Sequence, residues 1–149
     1  MNISFDLDST LIPCGNEFET EYRSVIAKLL GVEELRKGTK ELIFQLQKRG
    51  HTIHIYTTSF RTKNKIRKTL KYYGIKVNTI INQKENQYVL RSKNIDASKY
   101  PKAFNFDLHI DDSKGVAIEA KKYNFETLII KPSDKNWVET IKKNIKNLN

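Results

Sequence analysis

The 149-residue sequence lacks the features that mark secreted and membrane proteins. It has one cysteine, Cys14, so no internal disulfide can form, which fits a reducing cytoplasm. No apolar run is long enough to cross a membrane, and no leader segment precedes the first apolar strand. We therefore expect a cytoplasmic protein that does not interact with membranes. No repeat, low-complexity segment or long linker interrupts the chain, which predicts one domain over residues 1–149.

Acidic residues are outnumbered, with 17 Asp and Glu against 27 Lys and Arg and a net charge of +10. Such a charge attracts polyanions, so nucleic acid is one candidate partner and anionic phosphoesters are another. Ordinary solvated helix faces rich in lysine explain the same excess. Arginine, which nucleic-acid readers use for bidentate contacts, supplies only six of the basic residues, and this slightly favours the solvated surface.

Apolar strands alternate with helical patterns, which predicts an α/β fold with a parallel sheet. We expect five strands, at about residues 2–7, 52–56, 75–81, 106–110 and 125–130, and a further short strand at 88–90. Helices are predicted over about 17–30, 39–49, 62–73, 114–123 and 134–148, with Ser113 capping the fourth. The first helix should turn one apolar stripe towards the core, made of Phe18, Tyr22, Val25, Ile26, Leu29 and Leu30. The last should do the same with Trp137, Val138, Ile141, Ile145 and Leu148.

Polar residues follow three of the predicted strands. Asp6 and Asp8 stand at positions i and i+2 of an extended chain, so their side chains project together. Two carboxylates that close repel each other, and the arrangement is costly unless a cation or a reacting group lies between them. Ligands of open parallel sheets bind beyond the carboxyl ends of the strands. The residues expected to meet at that edge are Asp6, Asp8, Thr57, Thr58, Asp111 and Asp112.

These residues resemble the motifs of the haloacid dehalogenase superfamily, and in particular its small capless phosphatases. The first motif of that family is an apolar strand followed by Asp-x-Asp-x-Thr, and here it reads Asp6-Leu7-Asp8-Ser9-Thr10. The second is a strand that ends in Thr or Ser, as at Thr57, and the fourth is a strand that ends in an acidic pair, as at Asp111-Asp112. The order holds across nearly the whole chain. The resemblance implies a three-layer α/β/α, Rossmann-like fold.

The resemblance also implies a reaction, the hydrolysis of a phosphomonoester. Asp6 would be the nucleophile that forms an aspartyl-phosphate, and Asp8 the acid that protonates the leaving oxygen and then activates water. Thr57 would donate its hydroxyl to a phosphoryl oxygen, assisted by backbone amides around Thr58. The dehalogenase branch lacks an acid two residues after the nucleophile, so Asp8 favours phosphoryl transfer.

A magnesium ion and a lysine complete the implied site. Mg²⁺ would be held by the Asp6 carboxylate, the Asp8 backbone carbonyl and Asp112, with Asp111 acting nearby through water or by orienting a ligand. The sequence leaves open which of the two aspartates binds the ion directly. The third family motif is a lysine ahead of the acidic strand, and we favour Lys99; Lys93 and Lys102 lie in the same interval.

Several other reactive residues are interpreted as structural. Cys14 has no identifiable partner histidine and is expected to be incidental. His51, His54 and His109 show no metal-ligand spacing, and the last two lie within strands, where we expect them to pack.

Substrate access follows from the absence of a large insertion. Predicted helices fill the stretch between Asp6 and the second strand, so we expect no cap or a minimal one, and an open site. Arg61 and Lys63, at the start of the next helix, could hold a second phosphate. The alternatives are a nucleotide or polynucleotide-end phosphatase and a non-catalytic, basic nucleic-acid-binding module on the same fold. The substrate and the oligomeric state stay open.

Overall fold

The computed structural model describes residues 1–147 and contains a five-stranded, all-parallel sheet in the order β3-β2-β1-β4-β5. This confirms the predicted sheet, although most strands are shorter than the sequence patterns indicated. The strands are β1 (Asn2–Phe5), β2 (Thr52–Tyr56), β3 (Ile80–Ile81), β4 (Leu108–Asp111) and β5 (Thr127–Ile129).

Helices cover both faces of the sheet, which confirms the predicted three-layer arrangement. They are α1 (Val25–Leu29), α2 (Thr39–Lys48), α3 (Lys63–Tyr72), α4 (Gln83–Ser92), α5 (Lys114–Tyr123) and α6 (Trp137–Asn147), with a 3₁₀ turn at Pro101–Phe104. The helices α2, α3 and α6 bury their apolar stripes in one core with β1, β2 and β4. On the opposite face, α5 packs Val116 and Ala120 against Phe125. Crossovers between parallel strands are right-handed as a rule, and with this strand order that rule predicts such a division.

The two faces of the sheet differ in chemistry because successive strand residues point to opposite sides. One face is aliphatic and aromatic, with Ile3, Phe5, Ile53, Ile55, Leu108 and Ile110 in the core. The other carries Ser4, His54, Tyr56, His109 and Asp111, all buried. Asp6 has the same parity as Ser4, so the sheet directs it towards Asp111 on the polar face.

The predicted helix over residues 17–30 is wrong, since only Val25–Leu29 is helical. The stripe that should have been buried is exposed at Tyr22, Val25, Ile26, Leu29 and Leu30. Two glutamate side chains that precede the helix accept hydrogen bonds from backbone amides. Glu17 accepts from the amide of Cys14, and Glu21 accepts from the amide of Gly38. A bridge between Thr20 and Arg36 holds the segment extended. These hydrogen bonds compete with the helical pattern, as those of polar side chains commonly do.

Two further strand predictions need correction. Residues 75–81 contribute only Ile80–Ile81 to the sheet, and residues 88–90 lie inside α4. The side chain of Asn82 caps α4 by accepting from the amide of Glu85, and Asn86 and Leu90, four residues apart, form its buried face. Leu148, which we expected to continue the last apolar stripe, lies outside the described residues. None of the helices in residues 1–147 is long and apolar enough to cross a bilayer.

Candidate active site

The site begins where β1 ends in a tight turn. The amide of Asp6 donates to the Ile110 carbonyl at 2.9 Å, which fixes β1 against β4 at the point where both strands end. The Leu7 carbonyl then accepts hydrogen bonds from the amides of residues 10, 11 and 12, and Ser9 adopts a positive φ of 56°. The turn leaves the Asp8 side chain partly exposed and returns Thr10 to the interior, where its hydroxyl lies 3.4 Å from Asp112 Oδ1.

Three aspartates meet at this edge of the sheet. One carboxylate oxygen each from Asp6, Asp111 and Asp112 lies within 4.8 Å of the others, and we call this group the acid cluster. Asp6 and Asp111 are buried, and Asp112 is partly exposed. Three carboxylates at this separation require positive charge among them. The protein itself provides part of this positive charge.

Lys99 supplies that charge by contacting two members of the cluster. Lys99 is 3% exposed, and its ammonium lies 2.7 Å from Asp6 Oδ1 and 2.5 Å from Asp111 Oδ2. The two other candidate lysines are exposed: Lys93 ends α4, and Lys102 borders a cavity with Asn105, away from the cluster. Of the three, Lys99 is the lysine that the fold brings to Asp6.

The loop that carries Lys99 is held by side chains that the sequence reasoning missed. The Tyr56 hydroxyl donates to Asn86 Oδ1 at 2.5 Å and accepts from the amide of Tyr100 at 2.8 Å. Asn86 donates to the Ser98 carbonyl, and Glu119 accepts from the amides of Ser98 and Lys99. Burial raises the pKa of Tyr56, so the hydroxyl stays protonated and able to donate. One signal for Tyr56 was present in the sequence, its position immediately before Thr57 at the end of a strand.

A second residue that the sequence reasoning missed, His109, holds the Asp111 carboxylate in place. His109 Nε2 lies 2.9 Å from Asp111 Oδ2, and Nδ1 lies 2.9 Å from Ser4 Oγ. Burial lowers the pKa of His109, so the ring is neutral and carries one proton. Because an ionised carboxylate can only accept, the proton belongs on Nε2, and the Ser4 hydroxyl donates to Nδ1. Although the order Ser–His–Asp resembles a hydrolase triad, Ser4 is 0% exposed and no substrate can reach it.

The members of the cluster differ in their affinity for protons. Burial raises the pKa of Asp6, and the nearby Lys99 only partly opposes it. Asp111 is buried too, but hydrogen bonds from His109 and the charge of Lys99 lower its pKa. For Lys99, burial favours the neutral form, yet Asp6 and Asp111 outweigh it and raise the pKa. Burial and the neighbouring Asp111 raise the pKa of Asp112. Ionising all three carboxylates together therefore needs more positive charge than Lys99 brings.

The residues that follow β2 lie at the same carboxyl edge of the sheet as those that follow β1. Thr57 is buried, and its Oγ1 accepts from the amide of Ser59 at 3.1 Å, which leaves the hydroxyl proton free to donate; Thr58 is exposed. Arg61 is bound to Asp8 rather than open to solvent, with Nη1 2.8 Å from Asp8 Oδ1. Lys63 turns away to Glu85, at 2.6 Å.

Three solved structures resemble this fold. A HAD-superfamily hydrolase from Ehrlichia chaffeensis is 16% identical, with a TM-score of 0.56 over 99% of this chain and 97% of that one. A HAD-like family hydrolase from Porphyromonas gingivalis is 14% identical, with a TM-score of 0.52 over 97% of both chains. One chain of the Pnkp1/Rnl/Hen1 complex is 13% identical, with a TM-score of 0.56 over 87% of this chain, which spans 45% of that one. No protein-family model and no curated protein matches the sequence.

The chain has the haloacid dehalogenase fold. At these identities the likeness concerns the fold, and the roles of individual residues have to be argued from the site itself. This haloacid dehalogenase fold brings together the acid cluster, made of Asp6, Asp111 and Asp112, and the Lys99 ammonium. Asp8 is not a member of the cluster, and its carboxylate forms a salt bridge with Arg61. The catalytic and binding roles assigned to these residues from the sequence stay predictions.

Proposed function

We propose that the chain is a magnesium-dependent phosphomonoester hydrolase that acts through an aspartyl-phosphate on Asp6. The observation that carries the proposal is the acid cluster, in which Asp6, Asp111 and Asp112 lie within 4.8 Å of one another at the carboxyl edge of the sheet, next to Lys99. A haloacid dehalogenase fold presents ligands at that edge, as open parallel sheets do. A buried group of acids with this arrangement is costly to the fold unless it binds a cation or a reacting group.

The donor set suits a divalent cation. Asp6 Oδ1 is buried, and its close polar partner among residues 1–147 is the Lys99 ammonium at 2.7 Å. Both oxygens of Asp111 are engaged, Oδ2 by Lys99 and His109 and Oδ1 by the amide of Ser113. The side chain of Asp112 has, within residues 1–147, one long contact, to the Thr10 hydroxyl at 3.4 Å. We therefore assign direct contact to Asp6, the Asp8 carbonyl and Asp112, and an orienting role to Asp111. Mg²⁺ prefers a few such oxygens, and it would neutralise the negative charge between Asp6 and a phosphate.

The first chemical step uses Asp6 and Asp8. A carboxylate oxygen of Asp6 attacks phosphorus, and the new Asp6–phosphorus bond forms as the bond from phosphorus to the ester oxygen breaks. Asp8 gives its proton to that departing oxygen, which leaves as an alcohol. Lys99 keeps a positive charge against Asp6 and the transferring group, and the Thr57 hydroxyl donates to a phosphoryl oxygen with help from amides around Thr58.

The second step releases the phosphate. Asp8, now ionised, takes a proton from water, and the water oxygen attacks phosphorus. The Asp6–phosphorus bond breaks, Asp6 returns to its carboxylate form, and inorganic phosphate leaves. Asp8 again carries the proton that it needs for the next turnover, so the cycle consumes one ester and one water.

The test is turnover of 4-nitrophenyl phosphate with Mg²⁺ by the wild-type chain, by Asp6→Asn and by Asp96→Asn. Asp96 is an exposed aspartate away from the cluster and serves as the matched control. We expect Asp6→Asn to abolish turnover and Asp96→Asn to keep it. Rapidly quenched wild-type protein should carry phosphate that hydroxylamine releases, as it does from acyl phosphates. Retained activity in Asp6→Asn would refute the mechanism.

The remaining expectations are part of the proposal. A phosphorylated substrate is its partner, and a single domain over residues 1–149 and a cytoplasmic location stay predictions. The oligomeric state is not assigned.

A further inference from the structure

An exposed aromatic ring lies in the loop that follows β2, between two residues that contact the candidate site. Phe60 is 77% exposed and lies between Ser59, which bonds Thr57, and Arg61, which bonds Asp8. Single exposed aromatic residues are common on protein surfaces and need no explanation by themselves. Phe60 differs because its two sequence neighbours both contact residues of the proposed reaction, which holds its backbone beside the candidate site. The proposed hydrolysis of the phosphate gives the ring no role.

All the charged residues of the helix that follows Phe60 are basic. α3 begins at Lys63, and its charged side chains are Lys63, Lys65, Arg67, Lys68 and Lys71. Each of the other helices in residues 1–147 with ten or more residues carries at least one glutamate, so a general excess of lysine does not account for α3. The buried residues of α3 are Ile66, Thr69 and Leu70, and the basic side chains therefore point away from the core.

Much of this charge is not neutralised by the fold. Lys63 pairs with Glu85, and Lys65 lies 3.8 Å from Glu33. Among residues 1–147, no carboxylate forms a salt bridge with Arg67, Lys68 or Lys71. α3 follows β2 and so starts at the carboxyl edge of the sheet, and a ten-residue helix about 15 Å long spans several phosphates.

An exposed ring beside a row of cations is the combination that binds single-stranded nucleic acid. Bases stack on the ring whatever their identity, and the basic side chains follow the backbone phosphates. A small phosphate ester would occupy the acid cluster without reaching α3. Resting on the proposed function, we infer that the substrate is the phosphorylated end of a single-stranded polynucleotide, with a base near that end stacked on Phe60 and the adjoining phosphates along α3.

The first experiment compares wild type with Phe60→Ala on three substrates: an oligonucleotide with a terminal phosphate, the matching mononucleotide and 4-nitrophenyl phosphate. Oligonucleotides of DNA and RNA, with the phosphate at the 3′ or the 5′ end, identify the polymer and the end. We expect wild type to have a kcat/KM about tenfold higher for one oligonucleotide than for the mononucleotide, and Phe60→Ala to lose about tenfold more on it than on the aryl phosphate. Phe44→Ala, which removes an exposed ring from α2, should behave as wild type.

The second experiment measures salt dependence on the same oligonucleotide. Replacing Arg67 and Lys71 by glutamine should make the plot of log kcat/KM against log salt less steep by about 1.4, since each phosphate contact to a single strand contributes about 0.7. Replacing Lys121 and Lys122 of α5 by glutamine removes the same charge at the other edge of the sheet and should leave the slope unchanged.

The outcomes separate this inference from the proposed function. If 4-nitrophenyl phosphate is hydrolysed but the oligonucleotides are no better than the mononucleotide, or Phe60→Ala slows all substrates equally, this inference falls and the phosphatase stands. A phosphopeptide preferred over every oligonucleotide overturns it as well. Oligonucleotide binding without hydrolysis of any ester overturns both, because the chain would then be a binding module.

Discussion

Arg61 Nη1 lies 2.8 Å from the Asp8 carboxylate, and the same guanidinium is anchored on its other side by Glu33. Arg61 Nε lies 2.9 Å from both oxygens of Glu33, and Nη1 also donates to the Ser59 hydroxyl at 2.7 Å. A planar guanidinium held at several points has little freedom. Arg61 therefore fixes the direction in which Asp8, the proposed proton donor, faces.

Replacing Arg61 by methionine should lower the rate of hydrolysis most for esters with poor leaving groups. Alkyl phosphates need a proton on the departing oxygen, whereas 4-nitrophenolate leaves without one, so only the former depend strongly on a well-placed Asp8. We expect kcat for an alkyl phosphate to fall about tenfold more than kcat for 4-nitrophenyl phosphate, measured under saturating substrate.

Two variants control this measurement. Glu33→Gln keeps Arg61 but weakens its anchor, and it should show the same preference to a smaller extent. Arg23→Met removes another arginine, which bonds Glu34 and the Val32 carbonyl, and should affect the two esters equally. Equal losses on both esters in Arg61→Met would show that Arg61 does not act through Asp8.

Lys99→Met should destabilise the protein and abolish activity. The variant leaves Asp6 and Asp111 buried without their ammonium partner, and removing one member of such a pair typically costs about 3–5 kcal/mol. We expect the free energy of unfolding, measured by urea denaturation with a chelator present, to fall by roughly that amount. Lys102→Met, an exposed lysine three residues along the chain, should change it by less than about 0.5 kcal/mol. A Lys99→Met variant as stable as wild type would mean that the acid cluster does not need this charge.

Magnesium should stabilise the folded protein through Asp112. A ligand that binds only the native state raises its stability, by about 2.7 kcal/mol at a hundred times the dissociation constant. We therefore expect Mg²⁺ to raise the melting temperature of wild type and of Asp96→Asn, and EDTA to reverse the change. Asp112→Asn should lose the response because the cluster loses one of its two least engaged carboxylates. An unchanged response in Asp112→Asn would exclude Asp112 as a ligand.

His54→Phe should make the protein less sensitive to acid. Burial lowers the pKa of His54, only partly opposed by Asp107, and neither ring nitrogen has a hydrogen-bond partner among residues 1–147. The unfolded chain therefore binds more protons than the native state once the pH falls below about 6.5, and the free energy of unfolding decreases from there towards the native pKa. Burial lowers the pKa of His51 and His109 in the same direction.

Denaturation at pH 7.5 and pH 5.5 measures this effect. Wild type should lose stability between the two values, and His54→Phe should lose less, because phenylalanine takes up no proton and can stack on Phe106 as His54 does at 4.7 Å. The variant should be at least as stable as wild type at pH 7.5. An identical loss in both proteins would show that His54 is not a source of the acid sensitivity.

Structural features that depend on residues close together in the chain could be predicted from the sequence. Alternation of apolar strands and helices predicted the parallel sheet, and polar residues at three strand ends predicted the edge at which Asp6 and Asp111 meet. The prediction failed at residues 17–30, where an apolar stripe at helical spacing is exposed. There, hydrogen bonds such as that from the Gly38 amide to the Glu21 carboxylate determine the backbone, and periodicity carries no information about them.

The sequence by itself determined the order of strands and helices and the acidic residues at the sheet edge, because both follow from local spacing and from the parity of strand residues. Only the tertiary structure decided that Lys99, rather than Lys93 or Lys102, meets Asp6, that Tyr56 holds its loop, and that Arg61 binds Asp8. Those contacts join distant segments of the chain, and their geometry is set by how helices and loops pack on the two faces of the sheet.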